Sequence, residues 1–208
     1  MTSIDSVVIE TTDPAATRAF LTALGLDGRF AVRGSDAPTD GFRACTLSLV
    51  VGRPSTVDAL VASAVAAGAT VVKPVEKTFW GYGGVVRAPD GTIWKIATSK
   101  KKDTGPATRE VDEIVLLLGV TDVKASKRFY VEHGLTVGRS FGGKYVEFST
   151  PGAPVKLALY PRKALAKDAG VDMAGSGSHR IAIAGDGDGF TDPDGFVWES
   201  APVTSSPN

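Results

Sequence analysis

The stretch Pro-Asp-Gly-x-x-Trp occurs twice in this chain, and the two copies end in side chains of opposite charge. The copy over 86–96 reads VRAPDGTIWKI and carries Lys95, whereas the copy over 190–200 reads FTDPDGFVWES and carries Glu199. A carboxylate can hold a divalent cation, but a charged lysine ammonium has no free lone pair and repels one. The difference between Lys95 and Glu199 therefore indicates one of two things. It is either variation at the surface, or one half of the chain has a functional site and the other half has a site that has lost its function.

A second repeat opens each half of the chain and supplies the elements that would position these side chains. The β-branched runs over 4–9 and 111–116 predict strands, and each is followed by Thr-Asp, a helical apolar stripe and Gly-Leu. The aspartate is suited to cap the helix, and the glycine is suited to end it in a left-handed conformation. Both halves are thus expected to open with a strand and a helix.

Strand-rich sequence follows in each half. The first half adds one predicted helix that is capped by Ser55 and ended by Gly68, and strands at 43–51, 79–87 and 92–98. The second half adds a short helix at 162–168 and strands at 135–140, 143–148, 155–160 and 179–184. A second long helix is missing from the second half.

The lysines and the Gly-Pro pair between the two halves mark a connector. We therefore predict an N-terminal module over 1–99, a linker over 100–110, a C-terminal module over 111–203 that is trimmed in its later part, and a tail over 204–208.

Two tandem units with these opening and closing motifs resemble the vicinal oxygen chelate superfamily, which includes glyoxalase I, bleomycin-resistance proteins and extradiol dioxygenases. The resemblance covers nearly the whole chain and rests on the duplicated order of the motifs. It implies an α+β fold of two tandem βαβββ modules, whose curled mixed sheets form cup-shaped cavities.

The resemblance also implies metal ligands on the first and the closing strand of a module. In the first module these positions carry Ser6 and Lys95, so we expect that cup to lack a metal. The second module offers Glu113 and Glu199, with His179 at the mouth of a predicted strand, a set that suits Mn, Fe, Ni, Co or Zn. Alternatively, none of the three binds a metal. In that case Glu113 lies at a solvent-facing strand end, His179 is a capping or core residue, and Glu199 is retained from an ancestral site without a present role.

A group of aromatic side chains lies on or beside the strands expected to line the cups. They are Phe79, Trp80, Tyr82, Phe148 and Tyr160. An apolar, aromatic pocket with a few polar groups is what small-molecule binding requires, although each aromatic alone could equally serve core or interface packing. Glu10 and Lys95 share the first cup, where we expect both to contact the ligand and Glu10 could neutralise Lys95. Strand alternation places the tryptophans of the two motifs on the opposite face, in the core.

Composition excludes several classes of protein. The 23 basic residues balance 23 acidic ones, so no global field indicates a nucleic-acid or membrane partner. Cys45 is the single cysteine, which rules out an intramolecular disulfide and a CxxC site. The N-terminus has no basic leader, and no apolar stretch approaches the roughly 20 residues needed to span a bilayer. We expect a cytoplasmic protein, either a monomer or a homodimer.

Three functional hypotheses follow, and none assigns a catalytic residue. The first is a protein similar to bleomycin-resistance members that binds an organic small molecule without metal. The second is a metal-dependent lyase, isomerase or dioxygenase, in which Glu147 or Glu10 could act as a base. The third is a non-catalytic interaction module.

Overall fold

The computed structural model of the chain describes residues 3–201, so the tail predicted at 204–208 lies outside the described part. Within that part are four helices and fifteen strands. None of the helices in 3–201 is long and apolar enough to cross a membrane.

The N-terminal elements form one strand-helix-strand unit and a short extra strand. They are β1 (Ser6–Thr11), α1 (Pro14–Ala23), β2 (Ala31–Gly34) and β3 (Thr39–Gly41). The side chain of Asp13 accepts a hydrogen bond from the backbone N–H of Ala16 at 2.9 Å, and a proline occupies the first helical position. The aspartate cap predicted from the sequence is therefore confirmed.

Two complete βαβββ units follow. The first comprises β4 (Cys45–Val50), α2 (Pro54–Ala66), β5 (Thr70–Thr78), β6 (Gly81–Arg87) and β7 (Ile93–Thr98). The second comprises β8 (Glu113–Val120), α3 (Val123–Glu132), β9 (Thr136–Ser140), β10 (Val146–Ser149) and β11 (Lys156–Pro161). Residues 99–112 between them carry no helix or strand.

The C-terminal elements have no long helix. They are α4 (Arg162–Ala169), β12 (Gly175–Gly177), β13 (Ile181–Gly185), β14 (Phe190–Thr191) and β15 (Val197–Ser200). α4 ends at Gly170, which has a φ of +76° and so adopts the left-handed conformation that glycine tolerates.

The two βαβββ units join into one sheet with the strand order β5-β6-β7-β4-β8-β11-β10-β9. They meet where β4 runs antiparallel to β8. Strand alternation divides the apolar side chains between the two faces of this sheet. Val86 and Trp94 enter the large core that also contains α2, whereas Val85 and Ile93 enter a smaller cluster with Leu165 of α4. The short helix thus packs on the opposite face from α2.

The remaining strands form a five-stranded sheet in the order β14-β15-β13-β1-β2, and β3 pairs with β12 in a small ribbon. β1 is antiparallel to β13, although the two strands come from opposite ends of the chain. Each sheet therefore contains strands from both 1–99 and 111–203. This corrects the expectation that each half closes its own cup, while the division at 100–110 itself stays a prediction.

Candidate functional site

A cavity of about 300 Å³ opens on the face of the eight-stranded sheet that carries α4. Strands β5, β6 and β7 form its wall, and the C-terminal end of α4 borders it. Its lining includes Lys73, Trp80, Tyr82, Val85, Lys95 and Asp168. The lining is mostly apolar, with one group of charged side chains, as expected of a small-molecule site.

Lys95 faces this cavity because of its position in β7. It is in register with Val85 of β6, so the two side chains lie on the same face of the sheet. The next residue back, Trp94, points the other way and is 1% exposed, with its ring against those of Phe20 and Phe30. The tryptophan of the second motif is also buried. The predicted core role of both tryptophans is thus confirmed.

Asp168 is the charged partner of Lys95. The Lys95 ammonium lies 2.6 Å and 2.9 Å from the two carboxylate oxygens. The ammonium of Lys73 donates to the backbone carbonyl of Asp168 at 3.1 Å. Two cations therefore meet the end of α4, where the helix dipole is negative. The pairing of Lys95 with Glu10 expected from the sequence is wrong, because Glu10 lies in the five-stranded sheet.

The hairpin between β5 and β6 brings three of the predicted aromatic residues to the cavity mouth. Phe79 and Trp80 form the tip of the turn, with ring centroids 5.0 Å apart, and are 80% and 82% exposed. Trp80 and Tyr82 line the cavity. The Tyr82 hydroxyl donates to a carboxylate oxygen of Asp58 at 2.8 Å, and this bond raises the pKa of Tyr82. The tip is thus an exposed aromatic edge beside the cavity.

The other two predicted aromatic residues lie elsewhere. Phe148 is 1% exposed and packs in the main core, 5.4 Å from the Tyr130 ring. Its predicted contact with a ligand is therefore wrong, since alternation along β10 turns Glu147 outward and Phe148 inward. Tyr160 lies beside the small cluster around α4, with its ring 6.2 Å from that of Tyr145. It is on the cavity face but does not line the cavity.

The three predicted metal ligands are not brought together. Glu113 begins β8 in one sheet and lies 2.6 Å from the ammonium of Lys156. Glu199 lies in β15 of the other sheet and pairs with Arg33 at 2.5 Å. In residues 3–201, no group of three His, Cys, Asp or Glu side chains could hold a metal ion. This corrects the predicted metal centre. Its two carboxylates lie in different sheets, because each sheet combines strands from both halves of the chain.

His179 is held by the backbone. Its Nδ1 is 2.7 Å from the carbonyl oxygen of Arg43, and its Nε2 is 3.0 Å from the carbonyl oxygen of Asp194. The imidazole also stacks on the Phe196 ring, with centroids 4.0 Å apart. Both ring nitrogens are therefore engaged, which is the core role that the sequence left open as an alternative. The residues present do not fit the predicted metal.

Glu10 and Glu199 instead share one cation on the five-stranded sheet. Arg33 is in register with Glu10 on the neighbouring strand, and its guanidinium donates to Glu10 at 2.6 Å and to Glu199 at 2.8 Å. The hydrogen bonds from Arg33 hold the pKa of Glu199 below its ordinary value. A second cavity of about 460 Å³ lies beside this triad, and its lining includes His179.

Sequence reasoning missed two of these partners. Asp168 is the last residue of the predicted short helix at 162–168, but nothing local indicates that this helix crosses the sheet face. Arg33 follows the β-branched Val32 in a strand that was not predicted. The alternation of Val32 with its neighbours Ala31 and Arg33 would have been the available signal.

The fold is similar to solved structures of glyoxalases and dioxygenases. Glyoxalase I from Zea mays superposes with a TM-score of 0.60 at 13% identity, over 95% of this chain and 91% of that chain. A putative dioxygenase from Bacillus subtilis subsp. subtilis str. 168 superposes with a TM-score of 0.56 at 11% identity, over 94% and 83%. No protein-family model and no curated protein sequence matches the chain.

The chain therefore has the glyoxalase/bleomycin resistance/dioxygenase fold. This confirms the fold class predicted from the duplicated motifs.

Proposed function

We propose that this protein binds an organic small molecule, without a metal, in the cavity between β5–β7 and α4. The observation that carries the proposal is the placement of Lys95 and Asp168. Their ion pair, together with Lys73 and Glu76, supplies the charged part of a cavity that is otherwise mainly apolar. By the resemblance, Lys95 stands where related proteins carry a metal ligand, and an ammonium cannot take that role.

The size and lining of the cavity favour a compact aromatic ligand. About 300 Å³ is at the lower end of the volumes typical of small-molecule pockets. Trp80 and Tyr82 offer ring surfaces at its mouth, and offset or edge-to-face contacts with an aromatic ligand contribute roughly 0.5–1.5 kcal/mol each. The ligand would lie with one ring against the hairpin tip.

The charged group gives the ligand a polar anchor. The side chains of Lys95 and Asp168 are 38% and 41% exposed, so both can be reached from the cavity. The ammonium can donate to an acceptor on the ligand, and the carboxylate can accept from a hydroxyl or amine. We expect the ligand to carry such a group at the end that faces α4.

A thermal-shift screen against aromatic antibiotics and aromatic metabolites tests this proposal. A ligand at one hundred times its Kd stabilises the folded state by about 2.7 kcal/mol, which raises the Tm by roughly 5–10 °C for a chain of this size. Compounds that stabilise the protein are then titrated against Trp80→Ala and Lys95→Met by calorimetry.

Matched controls separate a cavity effect from a general one. Phe141→Ala removes an exposed aromatic residue elsewhere, and Lys156→Met removes a lysine from an ion pair of similar exposure on the same sheet. We expect affinity to fall by up to about tenfold for Trp80→Ala and at least about tenfold for Lys95→Met. Equal affinity for all four variants would contradict the proposal.

Metal content provides an independent test. Protein purified without chelator is expected to contain far less than one equivalent of Mn, Fe, Ni, Co or Zn by element-specific mass spectrometry. Glu113, Glu199 and His179 are each engaged by other groups, which supports this expectation. Near-stoichiometric metal that is lost in Glu199→Ala would favour the metal-dependent enzyme instead.

A further inference from the structure

Two arginine side chains border a small, partly enclosed cavity between the two large sheets. Arg43 precedes β4 of the eight-stranded sheet, and Arg180 precedes β13 of the five-stranded sheet. Both line a cavity of about 10 Å³, together with Cys45, Thr92 and His179. This volume has room for one water-sized particle.

Each guanidinium leaves one N–H group without a partner in the described part of the chain. Nη2 of Arg43 donates to the backbone carbonyl of Asp90 at 2.6 Å, but its Nη1 is buried and unpartnered. Nη1 of Arg180 donates to the backbone carbonyl of Ser35, but its Nε is buried and unpartnered. A buried donor without an acceptor is costly, so two beside one cavity require an explanation.

The positive charge around the cavity is not balanced by an ion pair. Arg180 is only 7% exposed, and neither arginine has a carboxylate ion-pair partner in residues 3–201. The nearby carboxylate of Asp90 accepts hydrogen bonds from the backbone N–H and hydroxyl of Thr92, at 2.9 Å and 2.8 Å. Buried charges are normally paired, but within residues 3–201 no carboxylate forms an ion pair with either guanidinium.

Other groups that face the cavity do not supply that charge. Burial raises the pKa of the Cys45 thiol to about 12, so the thiol is neutral at physiological pH. Burial also lowers the pKa of Arg43; the negative charge of Asp90 opposes this most strongly, and the positive charges of Arg180 and Arg87 lower the pKa further. The neutral thiol therefore adds no negative charge beside the two guanidinium groups.

The backbone holds both arginines in place. The Pro-Asp-Gly turn of the first motif wraps Arg43 so closely that a Cβ on Gly91 would lie 2.7 Å from Nη2. Arg180 has a φ of +54°, a left-handed conformation that non-glycine residues rarely adopt. Its backbone N–H donates to the hydroxyl of Ser178 at 3.0 Å, which helps to hold it there. The backbone at Arg180 is thus held in a defined conformation.

We propose that this cavity is a binding site for a single halide ion, held by Nη1 of Arg43 and Nε of Arg180. The cavity is too small for phosphate, sulfate or a carboxylic acid, and chloride is the halide that ordinary solutions supply. The bound ion joins the ends of two strands that belong to different sheets. It would therefore stabilise the packing of one sheet against the other, and it is independent of the proposed ligand cavity.

Bromide provides a direct test because it scatters anomalously. Crystals of the full chain grown or soaked in sodium bromide are expected to show an anomalous peak within hydrogen-bonding distance of both unpartnered nitrogens. A cavity that holds only water, with no anomalous signal at high bromide concentration, would overturn the proposal. This measurement needs no variant and so does not depend on how a variant folds.

A solution test compares sodium chloride with sodium gluconate at equal ionic strength, since gluconate cannot enter the cavity. We expect a saturable rise in Tm specific to chloride, of about 3–6 °C at ten times its Kd. Arg180→Gln should abolish this rise, while Arg29→Gln, which removes an exposed arginine, should retain it. A chloride effect of equal size in both variants would contradict the site. If Arg180→Gln does not fold, Arg43→Gln replaces it.

Discussion

The ammonium of Lys95 lies 2.6 Å from a carboxylate oxygen of Asp168, and this contact joins β7 to the C-terminal end of α4. The two residues are distant in the sequence and belong to opposite halves of the chain. Both residues line the cavity proposed to bind a ligand. The ion pair therefore places a polar group in a mostly apolar cavity wall. The position of α4 determines where this polar group lies.

The ion pair itself should add little to stability, because both side chains are more than one third exposed. Lys95→Met, Asp168→Asn and the double variant are expected to show a coupling free energy below about 1 kcal/mol in urea unfolding. The pair between Lys156 and Glu113, of similar exposure, serves as the control and should give a similar value. A coupling of several kcal/mol would show that the pair is a structural element rather than an accessible anchor.

Phe148 should matter for folding and not for ligand binding. Phe148→Ala removes a fully buried ring from the core and is expected to cost about 3–5 kcal/mol in the free energy of unfolding. Trp80→Ala, at an exposed hairpin tip, is expected to change that free energy by less than about 0.5 kcal/mol. Chemical denaturation of both variants checks the contrast. Similar losses would mean that the hairpin tip is packed in solution.

The aspartate of the second Pro-Asp-Gly motif should have a structural role. Asp194 accepts hydrogen bonds from the backbone N–H of Thr121 at 2.8 Å and from the hydroxyl of Ser126 at 3.1 Å. Asp194→Ala removes the acceptor for both groups and is expected to cost about 1–3 kcal/mol. Asp188→Ala, in an exposed loop, is the control and should be nearly neutral. Equal unfolding midpoints for the two variants would contradict this role.

The triad around Arg33 predicts a specific pH dependence. Arg33 lowers the pKa of Glu199 in the folded state below its ordinary value of 4.5. Glu199 therefore stabilises the folded state at pH values above 4.5, and this contribution is lost as the pH falls from 4.5 through the lower pKa of the folded state. The Glu199→Gln variant should therefore lose less free energy of unfolding between pH 7 and pH 3 than the wild-type protein loses. The difference between the two losses should be less than about 1 kcal/mol, because the ion pair is partly exposed. Urea midpoints at the two pH values measure this difference.

The local parts of the structure were predictable from the sequence. The cap at Asp13, the end of α2 near Gly68 and the opposite orientations of Trp94 and Lys95 each depend only on neighbours in the chain. Helix caps and strand alternation are short-range properties, so a single sequence contains them.

The candidate site was less predictable because it depends on contacts between distant segments. The sequence does not encode in any local pattern that β1 pairs with β13 or that β4 pairs with β8. The resulting sheets place Glu113 and Glu199 apart, and they place Glu10 in a different sheet from Lys95. The convergence of Arg43 and Arg180 arises in the same way.

The exchange of strands between the halves has a consequence for protein engineering. A cut within 99–112, where no helix or strand would be disrupted, leaves each fragment with an open sheet edge and half of an apolar surface. Neither fragment could complete its sheets alone, but the two together would restore every strand pair. When the two halves are fused to the two parts of a split reporter and co-expressed, they should therefore reassemble and restore the reporter signal.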